Sequence, residues 1–373
     1  MSFQPPMLAA DLAEIAERGR ALILSLQDPS GAYPASPTFS AYRGYSWLRD
    51  GAFIADAMSA AGETSSASAF FDWCARTLVA RTADVREIVA AAEAGTPVAD
   101  GEMLPTRFTL DGGSGEAEWW DFQLDGYGLW LWAALTHVAR HRLDSASWLP
   151  AIELTVDYLI SSWDRPCYDW WEEHVEEVHV STIGSIEAGL RAAAQESALD
   201  PDRRRLAAET ADAAARLIRE RGTVDGHLVK WLGSTAVDAS LAALISPLGV
   251  VAGDSELARA TLAELDRQLV VDGGAHRFTT DTYYGGGQWP LLSCFVGLAE
   301  LATGDAIRAR ELLDWAAGTV RASGTMPEQV ADDLIDPKFV DEWVERWGPS
   351  ADPLLWSSAM FLRLAVELGV VIR

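Results

Sequence analysis

Three cysteines, Cys74, Cys167 and Cys294, are spread through 373 residues. They are too few and too scattered for a disulfide frame or a thiolate metal site, and read as small buried hydrophobes in a reducing compartment. Basic residues are also scarce: 29 Lys and Arg face 55 Asp and Glu, a formal net charge of −26. That balance argues against nucleic acid or an anionic membrane as partner and favours a neutral or cationic ligand. No uninterrupted apolar run reaches about 18 residues, so no membrane span is expected. Met1–Ala10 has neither a basic n-region nor an apolar h-region, and a cytoplasmic location is the expectation. His174 and His179 lack an accompanying ligand set, so neither a metal nor another cofactor is expected. Strand signal is weak, with Arg107–Leu110 the best candidate, and no fixed-period repeat is found.

What is abundant is helical periodicity in a chain that is 49% hydrophobic. Leu8, Leu12, Ile15, Leu22 and Leu26 share one helical face, and Leu262, Leu265 and Leu269 repeat the pattern. Asp200-Pro201 and Asp305 read as helix starts. The spacing predicts helices over 7–27, 49–62, 64–82, 121–141, 147–163, 181–198, 201–221, 236–247, 254–270, 287–303, 305–321 and 353–369. They alternate in character. One set is amphipathic and charged; the other, such as Leu129–Leu135, is apolar all round and therefore buried all round. Alternation of this kind predicts an all-α (α/α)6 toroid, with six outer and six inner helices, as one domain over 1–373. An α-solenoid is the runner-up. The outer-to-inner connections, 28–48, 83–120, 164–180, 222–235, 271–286 and 322–352, are long and fall on one face, where function concentrates.

Ten of the 16 tryptophans sit in or beside those connections. In order they hold Tyr45-Ser46-Trp47-Leu48-Arg49-Asp50, then Trp119-Trp120-Asp121-Phe122-Gln123, then Trp170-Trp171-Glu172-Glu173. Lys230-Trp231, Arg277 with Tyr283-Tyr284, and Pro327-Glu328-Gln329 with Trp343, Trp347 and Trp356 complete the set. Solvent-side loops have no packing need for so much indole. A pocket for a flat-faced neutral ligand such as a sugar explains it. Glycoside hydrolysis needs one carboxyl to protonate the leaving oxygen and a second to activate water or attack. Glu172 and Glu328 are the natural pair. Trp170 and Trp171 would desolvate Glu172, and Asp169 and Glu173 would add like charge, both favouring its protonated form. These residues alone do not separate Glu172 from Glu173.

The ordered motifs resemble glycoside hydrolase family 15, the glucoamylase-like enzymes, over roughly residues 40–370. Arg49-Asp50-Gly51-Ala52-Phe53, Asp121-Phe122-Gln123-Leu124-Asp125, Trp171-Glu172-Glu173, Asp238-Ala239-Ser240, Pro327-Glu328-Gln329 and Pro353-Leu354-Leu355-Trp356-Ser357 carry the likeness. It implies inverting attack at a non-reducing glucose end, with Glu172 as general acid and Glu328 as general base. Arg49 and Asp50 would bind the terminal glucose, and Trp119, Trp171, Glu173 and Arg277 would complete the pocket. Tyr45 would assist the water or Glu328, held by Tyr283 or Tyr284. Trp47, Gln123, Trp231 and Trp356 belong to the same clusters. No β-sandwich, starch-binding module or secretion signal is seen in the sequence, which favours short α-glucosides. A compact member is similar to the isomaltose glucohydrolase subgroup, so isomaltose is the leading expectation. Maltose- or trehalose-type links, a phosphorolytic enzyme and a sugar-binding protein on an inactive toroid are the alternatives. Nothing in the sequence speaks to oligomeric state.

Overall fold

The computed structural model describes residues 7–371 apart from 117 and 120. Among them run fourteen α-helices. α1 (Ala9–Leu26), α2 (Leu48–Ala60), α3 (Thr64–Val79) and α4 (Thr82–Glu93) come first, then α5 (Asp125–His141), α6 (Leu149–Ser162), α7 (Val180–Gln195) and α8 (Pro201–Arg221). α9 (Ala242–Ile245), α10 (Glu256–Leu269), α11 (Pro290–Thr303), α12 (Ala306–Gly318), α13 (Val340–Trp347) and α14 (Leu355–Glu367) follow.

The inner helices form a closed ring. α2 packs on α5, α5 on α7, α7 on α9, α9 on α11, α11 on α14, and α14 back on α2. The outer helices α1, α3, α6, α8, α10 and α12 lean on them. Burial follows the alternation in the sequence: every residue of α2 is buried, whereas α1 buries only Leu12, Ala16, Gly19 and Ile23. The tightest inner contact is between α5 and α7, where glycines let two backbones touch. A Cβ on Gly128 would lie 2.3 Å from the Ser185 carbonyl oxygen, and one on Gly189 would lie 2.3 Å from that of Gly128. The predicted caps are present. The Asp200 side chain accepts the amides of Asp202 and Arg203, and that of Asp305 accepts the amide of Arg308.

Three departures have physical causes. The helix expected over 236–247 is a 3-10 turn, Ala239–Leu241, running into the four-residue α9. Asp238 is extended and caps Ser240, and Pro247 forces Ser246 out of the helical region. α4 lies within the segment read as a loop; it sits outside the ring against α6 and buries only Val85 and Ile88, so its apolar stripe is thin. α13 lies in the last connection and buries no residue.

The six outer-to-inner connections meet on one rim, each joined to the next by main-chain hydrogen bonds. β1 (Tyr45–Trp47) pairs antiparallel with β2 (Arg107–Thr109), the expected strand, with Trp47 opposite Arg107. The Tyr168 amide reaches Phe122 O at 3.0 Å, Val180 reaches Lys230 at 3.0 Å, and Ala239 reaches Arg277 at 2.9 Å. Gln288 reaches Val330 at 3.1 Å, and Leu355 reaches Ala35 at 3.1 Å, closing the circuit. No described helix is long and apolar enough to cross a membrane.

Candidate active site

Inside the rim lies a cavity of about 310 Å³, at the small end for ligand pockets. Trp47, Arg49, Asp50, Trp119, Trp171 and Glu172 line it, as do Glu173, Arg277, Tyr283, Glu328 and Trp356. Glu172 and Glu328 come from the third and sixth of six connections, opposite sides of the ring.

Glu172 is presented by a strained turn. Its φ is 67°, in the left-handed region that disfavours side chains. Asp169 holds it there: Oδ1 accepts the amides of Trp171 and Glu173, each at 2.9 Å. Asp169 is in turn anchored by Lys230, whose Nζ lies 3.0 Å from its Oδ2 and 2.5 Å from Asp238 Oδ2. Trp171 Nε1 donates to that same Asp238 oxygen at 2.9 Å. Burial works against the Asp169 charge, yet Lys230 holds its carboxyl below the usual range. The like charges expected around Glu172 are therefore matched elsewhere, Asp169 by Lys230 and Glu173 by Arg277 at 3.2 Å. Glu172 instead meets donors. Its Oε1 accepts from Trp47 Nε1 at 2.8 Å and from Gln123 Nε2 at 3.2 Å, with the Arg49 guanidinium 3.9 Å away.

Glu328 is buried under two phenols. Tyr42 donates to Oε1 at 2.9 Å and Tyr283 to Oε2 at 3.2 Å; the two hydroxyls lie 3.1 Å apart. Ser350 adds a contact to Oε2 at 3.3 Å. Burial pushes the Glu328 carboxyl up to about 7, although the Tyr42 bond, Arg277 and the Tyr283 bond pull it down. Burial and the nearby Glu328 charge hold both phenols well above their usual range, so they serve as neutral donors.

Arg49 and Asp50 begin α2 at the cavity wall. Arg49 bonds Gln123 Oε1 at 2.6 Å and Asp125 at 2.9 Å, while its Nε and Asp50 Oδ2, 3.7 Å apart, have no hydrogen-bond partner. Burial raises Asp50 to about 7. Buried polar atoms left open in a pocket wall are what a ligand's hydroxyls would satisfy.

Four expected residues lie off the cavity. Tyr45 is the main correction: its ring lies 4.0 Å from the Arg107 guanidinium and packs against Gly115, so the second connection covers it. Tyr42, in the preceding turn, makes the Glu328 contact foreseen for Tyr45. That turn has no periodicity to expose the residue in sequence. Trp231 packs on His174 and His179. Tyr284 spends its hydroxyl on Gly348 O at 2.7 Å, so Tyr283 alone of the pair reaches Glu328. Gln123 does not line the cavity but bridges Arg49 and Glu172. Trp120 lies outside the described residues. Trp170, Thr282, Trp289, Trp343 and Trp347 also line the wall.

The fold and site define a toroidal glycoside hydrolase. The profile described as "Glycosyl hydrolases family 15" matches residues 15–320, and the chain belongs to that family. It is 51% identical over 97% of its length, and 94% of the relative's, to the isomaltose glucohydrolase of Kribbella flavida. A solved wild-type glycosidase superposes with a TM-score of 0.95 at 50% identity, covering 98% of both chains; a variant described as a glycosidase in complex with glucose matches equally. The glucoamylase of Saccharomycopsis fibuligera, 15% identical with a TM-score of 0.73 over 99% of this chain and 98% of its own, shares the fold.

Proposed function

We propose that this enzyme hydrolyses short α-glucosides, isomaltose foremost, from the non-reducing end with inversion, releasing β-glucose. The observation that carries the reading is the opposition of Glu172 and Glu328 across one small aromatic cavity. An opposed pair leaves space for a sugar and a water between the carboxyls. The terminal glucose would bind Arg49 and Asp50. Glu172 would give its proton to the glycosidic oxygen as the C–O bond breaks. Because Oε1 faces donors, that proton belongs on Oε2. Glu328 would take a proton from the water that attacks the anomeric carbon from the other face, with Tyr42 positioning both. The roles of Trp119, Trp171, Glu173, Arg277 and Trp356 as sugar contacts rest on their place in the wall. Identity to an isomaltose glucohydrolase supports the α-1,6 preference.

Proton NMR of a fresh reaction on isomaltose tests this directly: β-glucose should appear first, and initial α-glucose would overturn inversion. A panel of maltose, trehalose and nigerose beside isomaltose should show isomaltose with the highest kcat/KM. The three buried free thiols fit a reducing compartment, and we place the enzyme in the cytoplasm; cell fractionation should recover activity there.

A further inference from the structure

The cavity wall is a belt of aromatic rings, and one contact closes it. Trp47 meets Trp119 at 5.8 Å between centroids, and Trp347 meets Trp343 at 5.1 Å and Tyr283 at 6.3 Å. Trp119 and Trp347 join these two arcs, stacked at 6.0 Å with 23° between planes. They come from different connections, the second and the sixth. Each is backed by a guanidinium: Arg107 lies 3.8 Å from the Trp119 centroid and Arg346 lies 4.7 Å from that of Trp347. Trp119 and Trp347 are half-buried whereas Arg49 and Asp50 are buried, so the contact forms a bar at the outer edge of the pocket wall.

Its dimensions decide what can pass. A sugar ring between two indoles needs two layers of van der Waals contact at about 3.5–4 Å each, roughly 7–8 Å in all. The rings stand 6.0 Å apart, so a pyranose cannot lie between them unless they part. Trp347 is carried by α13, which buries no residue. Among its ties to the rim are hydrogen bonds from Trp343 Nε1 to Thr282 O at 2.9 Å, Tyr284 to Gly348 O at 2.7 Å and Ser40 to Trp347 O at 2.9 Å, beside ring contacts of Trp343 and Trp347 with Tyr283 and of Trp347 with Phe39.

We infer that Trp347, seated against Trp119, sets substrate length: the closed bar accommodates a disaccharide, and a third glucose unit must displace it. The inference rests on the proposed α-glucosidase reading, which its test separates. The kcat/KM ratio of isomaltotriose to isomaltose is measured for the wild type, Trp347→Ala and Trp347→Phe. The wild type should prefer isomaltose. Trp347→Ala should raise the ratio about tenfold, the scale of one pocket contact, with Trp347→Phe intermediate. Trp347 packs partly buried against the core, so Trp347→Ala should also lower Tm modestly, an effect common to both substrates that leaves their ratio to report on the bar. A ratio unchanged in Trp347→Ala, or a wild type that cleaves both sugars equally well, overturns the inference and leaves the hydrolase reading standing. A wild type that cleaves no α-glucoside overturns both.

Discussion

In the proposed roles Glu172 gives a proton and Glu328 takes one, yet it is Glu328 that burial raises to about 7, while Glu172 faces donors and the Arg49 guanidinium. Replacing either by Gln keeps shape while removing the proton or the charge; turnover should fall by about 10²–10⁴-fold in each. If either variant keeps near-wild-type turnover, that role is misassigned. Tyr42 offers a subtler test. Its bond lowers the Glu328 pKa, and Glu328 must be ionised to take a proton. The acidic limb of kcat/KM should therefore lie near pH 7 and move to higher pH in Tyr42→Phe. A fall in turnover with the limb unmoved would make Tyr42 merely structural. Tyr45→Phe, by contrast, should leave turnover close to wild type. Lys230 has no contact with the reacting groups, yet it anchors the turn that carries Glu172. Lys230→Met would leave Asp169 and Asp238 buried without their cation, a loss of about 3–5 kcal/mol measurable by urea unfolding.

At the scale of elements, the α5–α7 crossing shows which of two effects wins. Gly128→Ala gains about 1 kcal/mol of helix propensity. It also drives a methyl into the Ser185 carbonyl, and overpacking of that kind costs about 1–3 kcal/mol. Backbone cannot swing aside as a side chain can, so the crossing should dominate and Tm should fall by a few degrees; a raised Tm would contradict it. The same elements show what was legible in sequence. Alternation between one-sided helices such as α1 and wholly apolar ones such as α2 announces two concentric layers, because burial on all faces demands an inner position. Helix α13 does carry a period, Val340, Trp343, Val344 and Trp347 at i, i+3, i+4 and i+7, but over eight residues inside an aromatic-rich connection it reads equally as part of a binding cluster. α4 was illegible because Val85 and Ile88 are its whole buried face. At the site, the aromatic-carboxylate clusters marked the right connections. Which tyrosine reaches Glu328 depends on how the turn before β1 folds back, and neighbouring residues in a turn point in unrelated directions. The resemblance pointed to Tyr45, where the fold delivers Tyr42.

For the whole molecule, the two raised carboxyls link folding to pH. Asp50 and Glu328 stand at about 7 in the fold, against ordinary values of 3.8 and 4.5. Between those limits the folded state binds more protons than the unfolded chain, so unfolding free energy contributed by these groups falls as pH rises. The contribution is full below about pH 4 and gone above about pH 7. Glu328→Gln should accordingly be more stable than wild type at pH 8, by about 1–3 kcal/mol, and the advantage should vanish near pH 4.5. Equal stability of the two proteins at pH 8 would show that the burial cost is met by the tyrosine pair.

The circuit of amide bonds around the rim bears on how such a protein diverges. Each pocket residue hangs from a main chain whose position is set by the neighbouring connection, not by the side chain it carries. Substitutions can thus exchange one sugar contact for another and leave the outline of the mouth where it was. Proline is the exception, since it alone deletes the amide. At Gln288 or Val330, whose amides and carbonyls are exchanged with each other, it would shift the fifth and sixth connections together, and with them Tyr283 and Glu328. Pocket side chains can be exchanged one at a time, whereas a rim amide can be lost only together with the outline it holds.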